Sequence, residues 1–176
     1  SKNDYLATTD IIKSQLDFVG KTLETTSIHS RNSLTTNIQD FFTYDQAGRL
    51  TKQEQSINGA APEIIVANTY DELGQLIIKK VGGKTAQGLQ AVNYKYNIRG
   101  WLKKINDVNT IATDLFAFQI NYNDIAHTTK KLFNGNISQT FWKTANTDAT
   151  IKNYTYSYDN LNRLTSAADN LAKFNE

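Results

Sequence analysis

Polar and apolar residues alternate with a period of two over long stretches of this chain. Val92, Tyr94 and Tyr96 fall on one side, with Asn93 and Lys95 on the other. Phe116, Phe118, Ile120 and Tyr122 oppose Ala117, Gln119 and Asn121; Tyr154, Tyr156 and Tyr158 oppose Thr155 and Ser157. Ile38, Phe42 and Tyr44 repeat the pattern, with Asp40 as its exception. Successive side chains of a strand point to opposite faces, so this period predicts β-strands. One aromatic and one polar face predict antiparallel sheet, covered on one side and wet on the other. The run Leu76-Ile77-Ile78-Lys79-Lys80 is more mixed. Residues 107–114 read as a loop insertion, and 167–174 as a short helix or a frayed end.

The strands are punctuated by one recurring phrase. Its fullest copy is Tyr44-Asp45-Gln46-Ala47-Gly48-Arg49-Leu50. Tyr70-Asp71-Glu72-Leu73-Gly74-Gln75-Leu76, Tyr96-Asn97-Ile98-Arg99-Gly100-Trp101-Leu102 and Tyr158-Asp159-Asn160-Leu161-Asn162-Arg163-Leu164 repeat it. Leu16-Asp17-Phe18-Val19-Gly20-Lys21 is a degenerate copy, and so is the stretch from Tyr122-Asn123, where Ala126 takes the glycine position. Asp or Asn at the start of a turn can accept bonds from backbone amides two residues on. Gly three positions later takes the left-handed conformation that closes a type I turn with a bulge. Asn162 stands in for that Gly, as the next residue most tolerant of positive φ. The predicted structural turn residues are therefore Asp45, Gly48, Asp71, Gly74, Asn97, Gly100, Asp159 and Asn162. Each phrase predicts a hairpin corner, near 16–23, 44–51, 70–77, 96–103, 122–128 and 158–165. Asn58-Gly59, Gly82-Gly83 and Asn134-Gly135-Asn136 are further turn signals, predicted to form the opposite ends of the hairpins. The expected fold is all-β, repeated antiparallel hairpins in a curved sheet, one segment over residues 1–176.

Composition sharpens this picture. Nine Tyr, eight Phe and two Trp suit half-buried pleated surfaces, and the single proline, Pro62, leaves the ladders uninterrupted. With no Cys, disulfides and thiolate metal sites are impossible. A net charge of +2 gives no case for nucleic acid or an anionic membrane. No apolar run approaches the roughly 20 residues of a spanning helix, and the runs are short for a transmembrane barrel. The chain has no Met and no leader pattern, and reads as an excerpt of a larger protein.

Candidate chemistry is sparse. His29 and His127 have no ligand at metal-site spacing, and no cofactor is expected. Asp71, Glu72 and Glu54 are candidate hydrolytic carboxylates only by default, and no nucleophile elbow or phosphate loop occurs. Lys79-Lys80, Lys103-Lys104 and Lys130-Lys131 read as solvated strand faces that guard an edge, not a nucleic-acid platform. Trp101 and Trp142 read first as core residues; either one, if exposed, is a candidate ligand contact, since an indole on a sheet can stack on a sugar ring.

The phrase Tyr-Asp-x-x-Gly-Arg-Leu on aromatic strands resembles the YD-repeat (Rhs) family. Tyr44–Thr51 and Tyr154–Ala167 carry it most fully, and the resemblance covers roughly 16–168. It implies an arc of the hollow β-shell that encloses toxins in bacterial Rhs and toxin-complex proteins, or that serves adhesion in teneurins. It implies a non-catalytic segment of a secreted or surface bacterial protein, partnered by other shell segments and a toxin or effector cargo. The family's self-cleavage segment has no counterpart here, since Pro62 is not preceded by Asp. The alternative is an extracellular module that binds a glycan or a protein.

Overall fold

Aromatic and β-branched residues at alternate positions, interrupted by Asn, Asp and Gly at regular intervals, fold into antiparallel hairpins. A computed structural model describes residues 1–3, 5–85, 87–125, 131–146 and 150–169. These contain strands and turns and no helix. The contacts divide the chain into two units, Ser1–Ala91 and Val92–Glu176.

In the first unit the strands are β1 (Lys2–Asn3), β2 (Thr8–Leu16), β3 (Thr22–Arg31), β4 (Leu34–Tyr44), β5 (Leu50–Ile57), β6 (Glu63–Tyr70) and β7 (Leu76–Val81). Each pairs antiparallel with the next. Very little of this unit is fully buried: Val66 and Ser56 are 8% and 4% exposed. Most strand residues are half-buried, so ladder bonds and cross-strand pairs hold the unit, not a thick core. Asp40, the exception in its apolar row, is held by two neighbours on β5. It accepts from Gln53 Nε2 at 3.1 Å and Gln55 Nε2 at 3.0 Å.

The second unit holds β8 (Gln90–Tyr96, from Val92), β9 (Leu102–Ile105), β10 (Phe116–Asn121), β11 (Gln139–Thr144), β12 (Lys152–Tyr158) and β13 (Leu164–Asp169). Again each strand pairs antiparallel with the next. Its buried apolar residues, Val108, Ala117, Ile120, Tyr122 and Ile125, gather on and around β10. Val108 comes from the predicted loop insertion, so that loop packs as well as connects. The predicted aromatic row is present. Trp142 stacks on Tyr154 with centroids 5.5 Å apart, and Tyr154 lies 6.3 Å from Tyr156.

One turn reading needs correction. Asn134-Gly135-Asn136 lies in the β10–β11 connection, at the same strand ends as the Asn97 and Asp159 corners, not opposite them. The hairpin order decides this: the loop after β9, residues 106–115, already supplies the opposite end. The turn between β3 and β4 was not anticipated. Asn32 and Ser33 both sit at positive φ, 48° and 67°, in a two-residue hairpin turn. Ala167–Asp169 belong to β13, where the sequence pattern predicted a short helix or a frayed end. The remainder of that stretch, from 170, lies outside the described residues.

Candidate functional site

What recurs in this molecule is the corner, and its geometry is the same each time. Asp45 N–H donates to the Arg49 carbonyl at 3.0 Å, and Gly48 N–H donates to the Asp45 carbonyl at 2.9 Å. The same two bonds form at Asp17, Asp71, Asn97 and Asp159, with lengths from 2.8 to 3.1 Å. Gly20, Gly48, Gly74, Gly100 and Asn162 take φ values of 87°, 79°, 82°, 78° and 61°. In every corner the strand register slips by one residue beside the position before the Asp or Asn. This is a type I turn closed by a bulge.

The corner side chain reaches further than the turn chemistry alone required. Asp45 Oδ1 accepts from Arg49 N–H, four residues on, at 2.9 Å. Lys21, Gln75, Trp101 and Arg163 make the equivalent bond to Asp17, Asp71, Asn97 and Asp159 at 2.8 to 3.0 Å. The Arg49 backbone N–H, with the guanidinium beside it, holds the Asp45 carboxyl below its usual range. Asp159 is lowered by the same two contacts from Arg163.

Successive corners are tied together by groups that the alternating pattern did not expose. Four of the Tyr residues before corners send their hydroxyls to a carbonyl at or just before the start of the preceding strand. Tyr44 Oη donates to Thr22 O at 2.8 Å, and Tyr70 Oη to Leu50 O at 2.9 Å. In the second unit Tyr122 Oη donates to Leu102 O at 3.2 Å, and Tyr158 Oη to Ile137 O at 2.9 Å. Burial raises the pKa of both Tyr122 and Tyr158. At three corners the residue four after the Asp or Asn then covers the next Tyr. Lys21 Nζ lies 5.7 Å from the Tyr44 ring centre, and the Arg49 guanidinium 4.7 Å from that of Tyr70. Trp101 fills this place in the second unit, its ring 5.1 Å from Tyr122. The same residues roof the next glycine. A side chain at Gly48 would run into the Lys21 ammonium, and one at Gly74 would lie 3.0 Å from Arg49. No sequence signal beyond the phrase itself marks these links, because they join residues 20 or more apart.

The degenerate corner adds an ion pair to these links. Asp124 Oδ1 accepts from Tyr122 N–H at 3.1 Å, and its other oxygen pairs with Lys103, which lies 5.6 Å from the Tyr122 ring centre. Burial pushes the Asp124 carboxyl up, and Lys103 with the Tyr122 amide outweighs it, leaving it lowered. Ala126, its glycine position, lies outside the described residues.

Beside Trp101 is a cleft of about 370 Å³, lined among others by Asn97, Arg99, Trp101, Asn123 and Phe133. The Arg99 guanidinium lies 5.0 Å from the Trp101 ring centre and donates to Phe133 O at 2.8 Å. Ile98 is fully exposed at its rim. Trp101 and Trp142 are both half-buried, the first on this cleft and the second on Tyr154.

The other candidates do not converge. Asp71 is occupied by its corner, and Glu54 pairs with Lys52 at 2.9 Å. Lys103 and Lys104 are each matched to an acid, Asp124 and Asp107. His29 Nδ1 meets Asp10 at 2.5 Å; His127 and Lys130 lie outside the described residues. Among the described residues no group of three His, Cys, Asp or Glu side chains is placed to hold a metal.

No family model matches the chain, and no curated protein matches it. A solved structure described as "Crystal Structure of TcdB2-TccC3-Cdc42" is similar over 96% of this chain at 14% identity, with a TM-score of 0.37. The chain spans 12% of the length of that chain.

Proposed function

We propose that this chain is a non-catalytic structural segment of YD-repeat (Rhs) type, one arc of a β-shell in a secreted or surface protein of bacterial origin. Its partners are neighbouring hairpins of the same shell, and its role is to enclose or present a toxin or effector. The observation that carries this reading is the link between corners: a Tyr hydroxyl on an earlier backbone carbonyl, under a cation or an indole. A corner hairpin such as β4–β5 cannot make that link by itself, because the carbonyl lies on the strand before it. The link makes each corner depend on its neighbour, as stacked repeats do. The small buried core points the same way, since such a sheet gains its stability by addition of further repeats.

Size-exclusion chromatography with light scattering, alongside circular dichroism, tests the reading on the isolated chain. A shell arc carries open strand edges and associates, or becomes well folded only with neighbouring sequence restored. A stable monodisperse β-rich monomer overturns it.

The Trp101 cleft favours a second reading, a surface module for a glycan. Under that reading a glycan array gives a saturable hit that Trp101→Arg removes. A blank array counts against it.

A further inference from the structure

Arg163 reproduces half of the Arg49 arrangement. Each guanidinium donates from Nε to the carboxylate of its own corner, Arg49 to Asp45 at 2.7 Å and Arg163 to Asp159 at 2.6 Å. The carboxylates are equally sheltered, with 22% and 25% of their side chains exposed. The arginines are not. Arg49 is 35% exposed because it lies on Tyr70 and against Gly74, whereas Arg163 is 74% exposed. Among the described residues no aromatic ring or glycine lies against Arg163.

The backbone repeats the asymmetry. Thr22, Leu50 and Leu102, each five residues after a corner Asp or Asn, all accept a Tyr hydroxyl through their carbonyls. Leu164 holds the same place after Asp159, and among the described residues no hydroxyl reaches it. The only strand paired with β13 among the described residues is β12.

The first corner is built the other way. Leu16 stands where the other corners carry Tyr, so it has no hydroxyl to give. Among the described residues no heavy atom lies within 4 Å of where a side chain on Gly20 would begin. That corner offers Lys21 to the hairpin after it and makes no claim on one before it.

We infer that the outer edge of β13, with Arg163 and the Leu164 carbonyl, is a docking site for one further hairpin of the same kind. This rests on the repeat reading proposed above. The incoming corner must carry Tyr immediately before its Asp or Asn, to reach the Leu164 carbonyl and lie under Arg163. It is best served by Gly three residues after that Asp or Asn, because a side chain there would crowd the guanidinium as one at Gly74 would crowd Arg49. A second copy of this chain does not meet the requirement with its leading corner, since Leu16 cannot donate. Addition is therefore directional, from β13 outward.

The test appends a copy of residues 56–81, the β6–β7 hairpin with its preceding turn, after Asp169 of the chain, which sets its Tyr 20 residues after Leu164, the spacing of Tyr70 after Leu50. Amide hydrogen exchange is followed over Leu164–Asp169. Protection should rise at least about tenfold, the scale of one to two net hydrogen bonds. The rise should be cut by Tyr→Phe in the appended copy and by Arg163→Ala, with the double variant no worse than the stronger single one. If the extended chain aggregates, a disulfide-cyclised peptide of residues 34–57 is titrated against the parent chain instead. It should protect the same amides, and its Tyr→Phe form should not. Unchanged β13 protection in whichever format is soluble overturns the inference, as does protection that ignores Arg163 and the added Tyr. Protection gained by the parent chain alone as its concentration rises also overturns it, because the occupant is then a second copy. Arg49→Ala separates this outcome from failure of the repeat reading. If Arg49→Ala destabilises the chain while Arg163 is inert, the docking site is wrong and the corner stack stands. If neither matters, both fall.

Discussion

At the scale of the residue, the corner glycines are not equivalent although their backbones are. Gly20 and Gly48 have φ of 87° and 79°, but only Gly48 lies beneath a side chain. Any Cβ at such φ is strained by about 1 kcal/mol or more. Gly48→Ala also displaces the end of the Lys21 side chain from the corner and from Tyr44, so it should lower the urea midpoint somewhat further than Gly20→Ala does. Equal losses would mean that Lys21 does not rest on the corner. Trp101 allows the converse test. It occupies the place that Arg49 holds in the first unit, covering a Tyr, and an Arg can take it over. Trp101→Arg should cost less than about 1 kcal/mol, while Trp101→Ala should cost more, through lost contact with Tyr122. Both are read by chemical denaturation.

The corner carboxylates set a pH dependence. Asp45 and Asp159 are lowered from the ordinary 3.8, first by the backbone N–H four residues on and also by the arginine beside each. A carboxyl lowered in the folded state contributes stability that is present above its unfolded value. That stability is lost as pH falls through the lowered folded value. The chain should therefore lose stability below about pH 4, the unfolded carboxyl range. Asp45→Asn should flatten that fall, because the variant has one carboxylate fewer to protonate. Urea midpoints measured from pH 6 down to pH 2 check this, and an unchanged slope in the variant would sink the assignment.

At the scale of the element, hairpins are joined by side chain to backbone bonds as well as by ladders. Tyr44→Phe removes the hydroxyl bond to Thr22 and leaves the ring under Lys21. The expected loss is about 0.5–1.5 kcal/mol, the net worth of one hydrogen bond. It should appear as faster amide exchange at the start of β3, the strand beside the substitution. Exchange that quickens only in β4 and β5 would mean that the hydroxyl bond is not formed. Asn residues do similar work at the opposite strand ends. Asn58 accepts from Asn37 N–H through Oδ1 at 2.8 Å, and Asn106 does the same for Asn93. Both sit at positive φ, 51° and 54°. One residue thus makes the turn and fastens it to an adjoining strand.

At the scale of the whole molecule, the alternating pattern and the repeated phrase were enough to read the fold class. Period two requires strands, and Asp or Asn followed by Gly at three residues requires a particular turn, so both are local and both are written in the chain. The corners at Asp17, Asp45, Asp71, Asn97 and Asp159 follow from that local chemistry. What alternation alone did not reveal is how much each face is covered. In the first unit Val66 and Ser56 are buried while Phe42 and Tyr44 remain half-exposed, because burial depends on what packs above a strand and not on its own period. The side of the Asn134–Asn136 turn was likewise decided by counting hairpins, a property of the whole path. The links that distinguish a stack of corners from a row of separate hairpins were also out of sight: Tyr hydroxyl to distant carbonyl, Lys21 over Gly48, Arg49 over Gly74. Each joins residues some 20 or more positions apart, and only the tertiary structure sets that distance to a few ångströms. Sequence determined what each corner is; the fold decided which corners meet, and left Arg163 largely exposed while it holds its carboxylate.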